Sequence, residues 1–387
     1  MDIVVTYCER WDTPLRTSKH HYIERLAADG HRILYVEVPA NPLSALRRFG
    51  EFKRQVFPRI RAGVEEVAHN IWAMTGVVPF PYHPALWGIL DRPFVNRLNQ
   101  LALLPRINAA QVKLGFKQPV LLSYYPLALP IIKELGASRT VFHIVDEWQG
   151  MAGIPRSMAV LTQEMLKRAD VTIVTSGRLY ERYRFSAKRI ELIRHGTDLA
   201  LFGPVAKGDV MPDARALALP GRKIGYYGAL HKLDVELIIR VARARPRWSF
   251  VFVGPLSGGQ GVGKLDVFPP NVHFFGELPR RDLPKFLAAL DAFWMPFAVN
   301  ELTHSMCPIK IFEVMSAGLP LVSSDLDECR AVAGEIALFA GKTEEHVTQL
   351  ERAVGMHSPE EVNLRMAAMS DYDWNNRYQE FSKLLQH

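Results

Sequence analysis

Twelve short runs rich in β-branched and aromatic residues recur along this chain, each set off from the next by a stretch of helical periodicity. No other feature restricts the fold as much. In the first half the runs are Ile3–Tyr7, Arg32–Val38, Val120–Tyr124, Thr140–Val145, Val171–Thr175 and Ile190–Ile193. In the second half they are Lys223–Tyr227, Ser249–Val253, Val272–Phe275, Ala292–Met295, Leu319–Ser323 and Ala337–Phe339. Runs this short and this apolar are strands covered on both faces, and strands that alternate with helices pair in parallel. The series restarts at Lys223, after a stretch punctuated by Pro204, Gly208, Pro212, Pro220 and Gly221, residues that interrupt regular structure. The expected fold class is therefore α/β, with two doubly wound Rossmann-like domains at 1–203 and 223–371 and a linker at 204–222. Ligands of such sheets bind at the carboxyl ends of the strands, so the two domains are expected to face a cleft.

With 387 residues, 48% of them hydrophobic, the chain holds enough apolar surface for two full cores. Cys8, Cys307 and Cys329 are far apart and follow no spacing, which fits a reducing compartment and argues against a disulfide framework or a zinc site. The chain opens on a strand, with no basic and apolar leader, and no apolar run reaches the roughly 18 residues a membrane span needs. A cytoplasmic protein is expected.

Charge is uneven. Residues 1–200 hold 27 Lys+Arg against 18 Asp+Glu, while the whole chain carries a net +7. Arg47, Arg48, Lys53, Arg54, Arg59 and Arg61 are interleaved with Leu46, Phe49, Phe52, Val56, Phe57 and Ile60. That mixture suits an anionic membrane surface, on the inner face of the cell membrane. No nucleic-acid motif accompanies it, so nucleic acid is not an expected partner. The alternative is an ordinary solvated face. Between 40 and 115 the chain is irregular. Pro79, Pro81, Pro84, Pro93 and Pro105 are expected to break it up, and Trp87, Leu90, Phe94, Leu98 and Leu101 are spaced as one face of an amphipathic helix.

The segment richest in chemistry is Ser305–Ser324. Pro308 suits a helix start, Ile309, Phe312 and Met315 form a core face, and Gly318 with Pro320 ends the helix. Lys310 sits near the positive end of that helix and suits an anion such as a diphosphate. Glu313, one turn on, suits a sugar's vicinal hydroxyls. No P-loop, H-E-x-x-H or G-x-S-x-G elbow occurs. Neither a metal nor a cofactor is expected.

The pattern P-x-K-x-x-E-x-M-x-x-G-x-P-x-V-x-S resembles the donor-nucleotide element of two-domain glycosyltransferases of the GT-B fold, family 4 in particular. Tyr226–Lys232 looks like that family's glycine turn after the first strand of the nucleotide domain, which points to Gly228, His231 and Lys232 at the donor phosphates. Phe250–Pro255 and Val272–Pro279 resemble the strand ends that cradle the base, adding Gly254 and Glu277. Mainstream family 4 places a second glutamate eight residues before the Glu313 position, where this chain has Ser305. The S-M-x-x-x-K run is similar instead to bacterial exopolysaccharide glucuronosyltransferases of the xanthan pathway type, which implies Ser305, Met306 and Lys310 at the donor phosphates. In the GT-B fold the terminal helix crosses back onto the first domain, which the resemblance implies for residues 372–387.

In the first domain, the strand Val141–Val145 ends in Asp146 and Glu147. The resemblance makes Asp146 the general base of an inverting transfer, with Glu147 as competitor. A helix cap is the structural alternative for Asp146. Thr17–His21 opens the first helix, and His20 is a candidate on the acceptor or phosphate side, with capping as its alternative. Ile193–Phe202 resembles the H-G-x-D-x-x-x-F segment that closes the first domain, with Asp198 as a cap. These features together imply a glycosyltransferase using a nucleoside diphosphate sugar, UDP-linked, and a lipid-linked or glycan hydroxyl acceptor, in envelope or exopolysaccharide synthesis. A sugar-nucleotide epimerase or hydrolase on the same fold, and a non-catalytic membrane-surface scaffold, are the alternatives.

Overall fold

The computed structural model describes residues 1–13, 17–47, 49–81, 90–147, 154, 156–256 and 263–386. Arg48, Pro84 and Trp87 lie outside them. The chain forms two compact units, one of Met1–Ile193 with Tyr378–His387 and the other of Arg194–Arg377.

The first unit holds an eight-stranded sheet in the order β3-β4-β2-β1-β5-β6-β7-β8. Its strands are β1 (Asp2–Cys8), β2 (Arg32–Glu37), β3 (Val64–Ala68), β4 (Ile71–Met74), β5 (Val120–Ser123), β6 (Arg139–Ile144), β7 (Val171–Val174) and β8 (Ile190–Leu192). All pairs are parallel except the edge pair β3–β4. The sequence reading missed this hairpin. Its turn places Asn70 in the left-handed region at φ 60°, a conformation asparagine tolerates. The edge strand exposes Glu65 and Glu66, charges that keep an edge from pairing further. Val4, Leu34, Val36, Leu121, Leu103 and Ile107 share one core beneath the sheet.

The second unit holds six parallel strands in the order β11-β10-β9-β12-β13-β14: β9 (Lys223–Tyr227), β10 (Ser249–Val253), β11 (Val272–Gly276), β12 (Ala292–Met295), β13 (Leu321–Ser324) and β14 (Leu338–Ala340). Counted within the unit this is the order 3-2-1-4-5-6, whose direction reverses between β9 and β12. Helix Ile309–Ser316 crosses from β12 to β13. Phe312 and Met315 are fully buried beneath it, each contributing roughly 1.5–3 kcal/mol of apolar burial. Pro308 stands at the N-cap rather than inside the first turn. At the other end Gly318 adopts φ +73°. The Gly318 N–H donates to Met315 O at 3.0 Å and the Leu319 N–H to Val314 O at 3.2 Å, the paired bonds of a Schellman stop. Arg365, buried on helix Pro359–Ala368, donates from Nε to Gly318 O at 2.9 Å and from Nη2 to Met356 O at 2.7 Å.

The second unit begins earlier than residue 203. Gly196 and Thr197 are held by its own backbone: Thr197 N–H donates to Tyr372 O at 2.8 Å and Trp374 N–H to Thr197 O at 3.0 Å. A Cβ on Gly196 would lie 2.7 Å from Tyr372 O, which explains glycine there. Asp198 caps helix Leu199–Ala206 through Leu201 N at 3.2 Å. The stretch 204–222 is thus not plain linker, since it also carries the helix Ala214–Leu217. Helix Trp374–Gln386 starts in the second unit and ends in the first. There Phe381 stacks on Tyr22 at 4.2 Å, and Tyr378 donates to Asp29 at 2.5 Å.

Pro105 does not break its segment. Helix Pro93–Leu114 runs through it for 22 residues. Leu101 and Pro105 are both exposed, so the carbonyl freed by the missing N–H meets water. Phe94, Leu98 and Leu101 do not face the core either; they are exposed, and Leu90 precedes the helix.

Candidate functional site

The carboxyl ends of β9, β10 and β11 are tied together. Gly228 N–H donates to Val253 O and Gly254 N–H to Gly276 O, each at 2.8 Å. A Cβ on Gly254 would lie 2.1 Å from Gly228 O, so only glycine fits. At Gly228 the crowding comes from a side chain. A Cβ there would lie 2.2 Å from Lys310 Cε and 2.6 Å from its Nζ. The first turn of helix Ile309–Ser316 thus lays its ammonium across the glycine turn after β9, at the point where strand order reverses.

Around that ammonium the rings of Tyr226 and Tyr227 lie 5.9 and 5.8 Å away. Lys232, from the short turn Leu230–Lys232, reaches Met306 Sδ at 3.5 Å. Burial pushes the Lys310 ammonium down to about 8; Glu313 opposes this and Lys232 adds to it. Two cations near each other in a partly dry site are costly unless an anion joins them.

Glu313 is 3% exposed and does not lie bare. Tyr227 Oη donates to its Oε2 at 2.6 Å, and Arg280 Nη1 to its Oε1 at 2.6 Å. Arg280 follows β11 and packs its guanidinium over Phe202 at 5.4 Å. Burial works against its charge, but Glu313 outweighs this and holds its pKa above the ordinary value. The sequence reading missed Arg280 and the Tyr227 hydroxyl. One signal existed: a glutamate on a helix this apolar requires a cation partner. Each carboxylate oxygen accepts one bond here, and a carboxylate offers about four acceptor positions, so capacity remains for two hydroxyls.

The structure therefore gathers Gly228, Lys232, Met306, Lys310 and Glu313, with Gly254 stacked behind. Ser305 is buried, but its hydroxyl donates to Glu301 O at 2.9 Å and is committed to its own helix. His231 is exposed beside Lys232, and Glu277 is exposed after β11. Asp325 and Asp327 pair with Arg330 and His304.

In the first unit a second charged cluster lies at the strand carboxyl ends. Glu9, after β1, accepts Thr17 Oγ1 and Lys19 Nζ, each at 2.7 Å. Lys19 also lies 5.2 and 5.4 Å from the rings of Tyr124 and Tyr125. Burial pushes the Tyr125 hydroxyl up, Lys19 opposes this, and Glu9 and Asp146 add to it. Asp146 is thereby placed within electrostatic reach of the cluster. It is half-buried after β6. Its neighbour Glu147 is buried and pairs with the exposed Arg182 through Nε at 3.2 Å and with Tyr183 Oη at 3.1 Å. That pairing anchors helix Gly177–Tyr183. His20 is buried, and its Nδ1 accepts from Thr17 N–H at 3.2 Å, the capping alternative. Arg59 leaves the basic patch: it pairs with buried Glu37 at 2.5 Å and with Asp12 at 3.1 Å.

Residues 221–355 match the family model described as glycosyl transferases group 1. TuaH of Bacillus subtilis (strain 168), by its name a glycosyltransferase of teichuronic acid biosynthesis, is 25% identical over 169 residues. That alignment spans 42% of this chain and 42% of TuaH. Sucrose-phosphate synthase from Thermosynechococcus elongatus superposes with a TM-score of 0.69 at 16% identity, over 100% of this chain and 98% of that one. HepE from Anabaena, in complex with UDP and glucose, superposes with a TM-score of 0.67 at 14% identity, over 100% and 99%. At such identities the superpositions establish the fold. Residues 221–355 are thus similar to a glycosyl transferases group 1 domain, in a chain that has the GT-B fold.

Proposed function

We propose that this protein transfers a sugar from a UDP-linked donor to a hydroxyl of a lipid-linked or glycan acceptor, in envelope or exopolysaccharide synthesis. The observation that carries the reading is the placement of Lys310 and Lys232 at the Gly228 turn. Cations fixed there before the reaction stabilise the diphosphate as it departs, with no solvent to reorganise and without need of a metal. Glu313, held by Arg280 and Tyr227, takes the ribose hydroxyls. HepE, with UDP and glucose bound, and TuaH, named for teichuronic acid, support the donor class and the type of polymer. Asp146 is the proposed base, removing the acceptor's proton as the hydroxyl attacks the anomeric carbon. The exposed Lys53, Arg54 and Arg61, with Leu46, Phe49 and Phe57, are proposed to hold the protein on the inner face of the cell membrane.

Isothermal titration with UDP, GDP and TDP tests the donor. UDP binding is expected, and absence of binding by all three refutes the reading. Asp146→Asn is expected to abolish turnover while leaving UDP affinity unchanged. Near-normal turnover removes Asp146 as base. Product formation without any acceptor, seen by proton NMR, turns the assignment to a hydrolase or epimerase.

A further inference from the structure

Helix Pro93–Leu114 is amphipathic in the reverse of the usual sense. Its buried side carries Asn96, Asn99, Gln100 and Gln111 among Val95, Leu103, Ile107 and Ala110. Its solvent side carries Phe94, Leu98, Leu101 and Val112, which are 63%, 45%, 41% and 81% exposed. With Pro105 these fall at i, i+4, i+7, i+11 and i+18, one stripe on a 3.6-residue repeat. The helix is not free to roll this stripe inward. Asn99 binds Phe80 through both its backbone N–H and its carbonyl, at 3.0 and 2.9 Å. Asn96 donates to Leu127 O at 3.1 Å, and Gln100 bonds to Asn96 at 3.3 Å. Rotation would leave those buried amides and the Phe80 backbone unpaired.

The stripe's flanks carry one sign of charge. Arg97 lies on one side and Arg106 and Lys113 on the other, all exposed, and the helix contains no acidic residue. Arg106 Nη1 also reaches Ile60 O at 3.5 Å, so this helix adjoins the basic segment that ends at Ala62. A second copy of the chain would set basic flank against basic flank. An anionic lipid surface meets both parts of the pattern: acyl chains take the apolar stripe and headgroups take the cations.

We propose that the outer face of helix Pro93–Leu114, through Phe94, Leu98, Leu101 and Val112, docks the full chain on anionic lipid. This deepens the membrane reading above, in which residues 45–61 alone supplied the contact. The test is cosedimentation of the full chain with phosphatidylglycerol vesicles and with phosphatidylcholine vesicles. Wild type is compared with Leu98→Glu/Leu101→Glu and with Lys53→Glu/Arg54→Glu. The stripe variant is expected to lose partitioning onto phosphatidylglycerol by roughly tenfold or more, with its Tm and the UDP-induced rise in Tm unchanged. Wild-type binding by the stripe variant overturns the stripe while leaving the 45–61 reading in place. Failure of wild type to bind either vesicle overturns both. Concentration-dependent self-association of wild type that the stripe variant abolishes overturns lipid as the occupant in favour of a second copy.

Discussion

Arg280 offers the sharpest test of how the site is built. Its Nη1 lies 2.6 Å from Glu313 Oε1, and the two side chains are 25% and 4% exposed. At an effective dielectric near 20, a contact of this length is worth about 6 kcal/mol before desolvation. Desolvation and the partial exposure of the arginine remove much of that. A coupling of about 2–3 kcal/mol should survive, well above the 0–1 kcal/mol of a surface pair. The experiment is a double-mutant cycle with Arg280→Met, Glu313→Gln and both together, read from urea unfolding curves. Arg280→Met alone leaves a buried carboxylate with only Tyr227 as donor, so it should cost about 3 kcal/mol, or a Tm lower by roughly 6–12 °C. The double variant should recover most of that loss. UDP affinity adds a second reading. It should fall in Arg280→Met and return in part in Arg280→Lys, which keeps the charge but not the planar fork. A coupling below about 0.5 kcal/mol would refute the claim that Arg280 holds Glu313 in place.

Other outcomes follow from the same geometry. Lys310 titrates near 8 in the fold against 10.5 for a free lysine, so burial disfavours its charged form. The resulting penalty is absent above pH 10.5, grows as pH falls and is complete below about 8. Donor binding has the opposite need: UDP affinity should weaken as pH rises through 8, and binding at pH 9 should take up a proton, measured by calorimetry in buffers of different ionisation heat. Gly228→Ala should displace Lys310 and lower UDP affinity by roughly tenfold or more with the fold retained, since one charge-assisted contact is worth about 1.5–3 kcal/mol. An unchanged Kd would contradict the crowding. Gly318→Ala should lower Tm by several degrees, because φ +73° is unfavourable for alanine and its Cβ would lie 2.8 Å from Ala206 Cβ. A Tm within 1 °C of wild type, as a rough threshold for a cost under about 0.5 kcal/mol, would count against it.

Most of the parallel strands were legible because they are buried on both faces and so read as unbroken apolar runs, with β8 and β11 only half-buried. The β3–β4 hairpin was not, since Val64–Ala68 is an exposed edge strand whose Glu65 and Glu66 break the pattern. Helix Pro93–Leu114 was visible as a period, but its orientation was not. Apolar spacing marks a face without saying whether that face is buried, and here the Asn99 clamp on Phe80 decides it. At the site, Lys310 and Glu313 were legible because both sit on one short helix with recognisable ends. Arg280 was not: it meets Glu313 across 33 residues of chain, and no local pattern encodes such a pairing. Glu147 is a similar case, since its partners Arg182 and Tyr183 come from a distant stretch of chain.

The Arg365 bond to the Gly318 carbonyl bears on how this molecule can be divided. The stretch that matches the family model stops at 355, ten residues short of the side chain that closes the end of helix Ile309–Ser316. The strip Gly196–Thr197, which pairs with Tyr372 and Trp374, lies before its start. A fragment cut to residues 221–355 would lose the stopper at one end of that helix and the brace at the chain's entry. Its failure to fold would say nothing about nucleotide recognition. The smallest piece worth excising runs from Arg194 past Trp374, so the unit that can fold is larger than the stretch that carries the family signature.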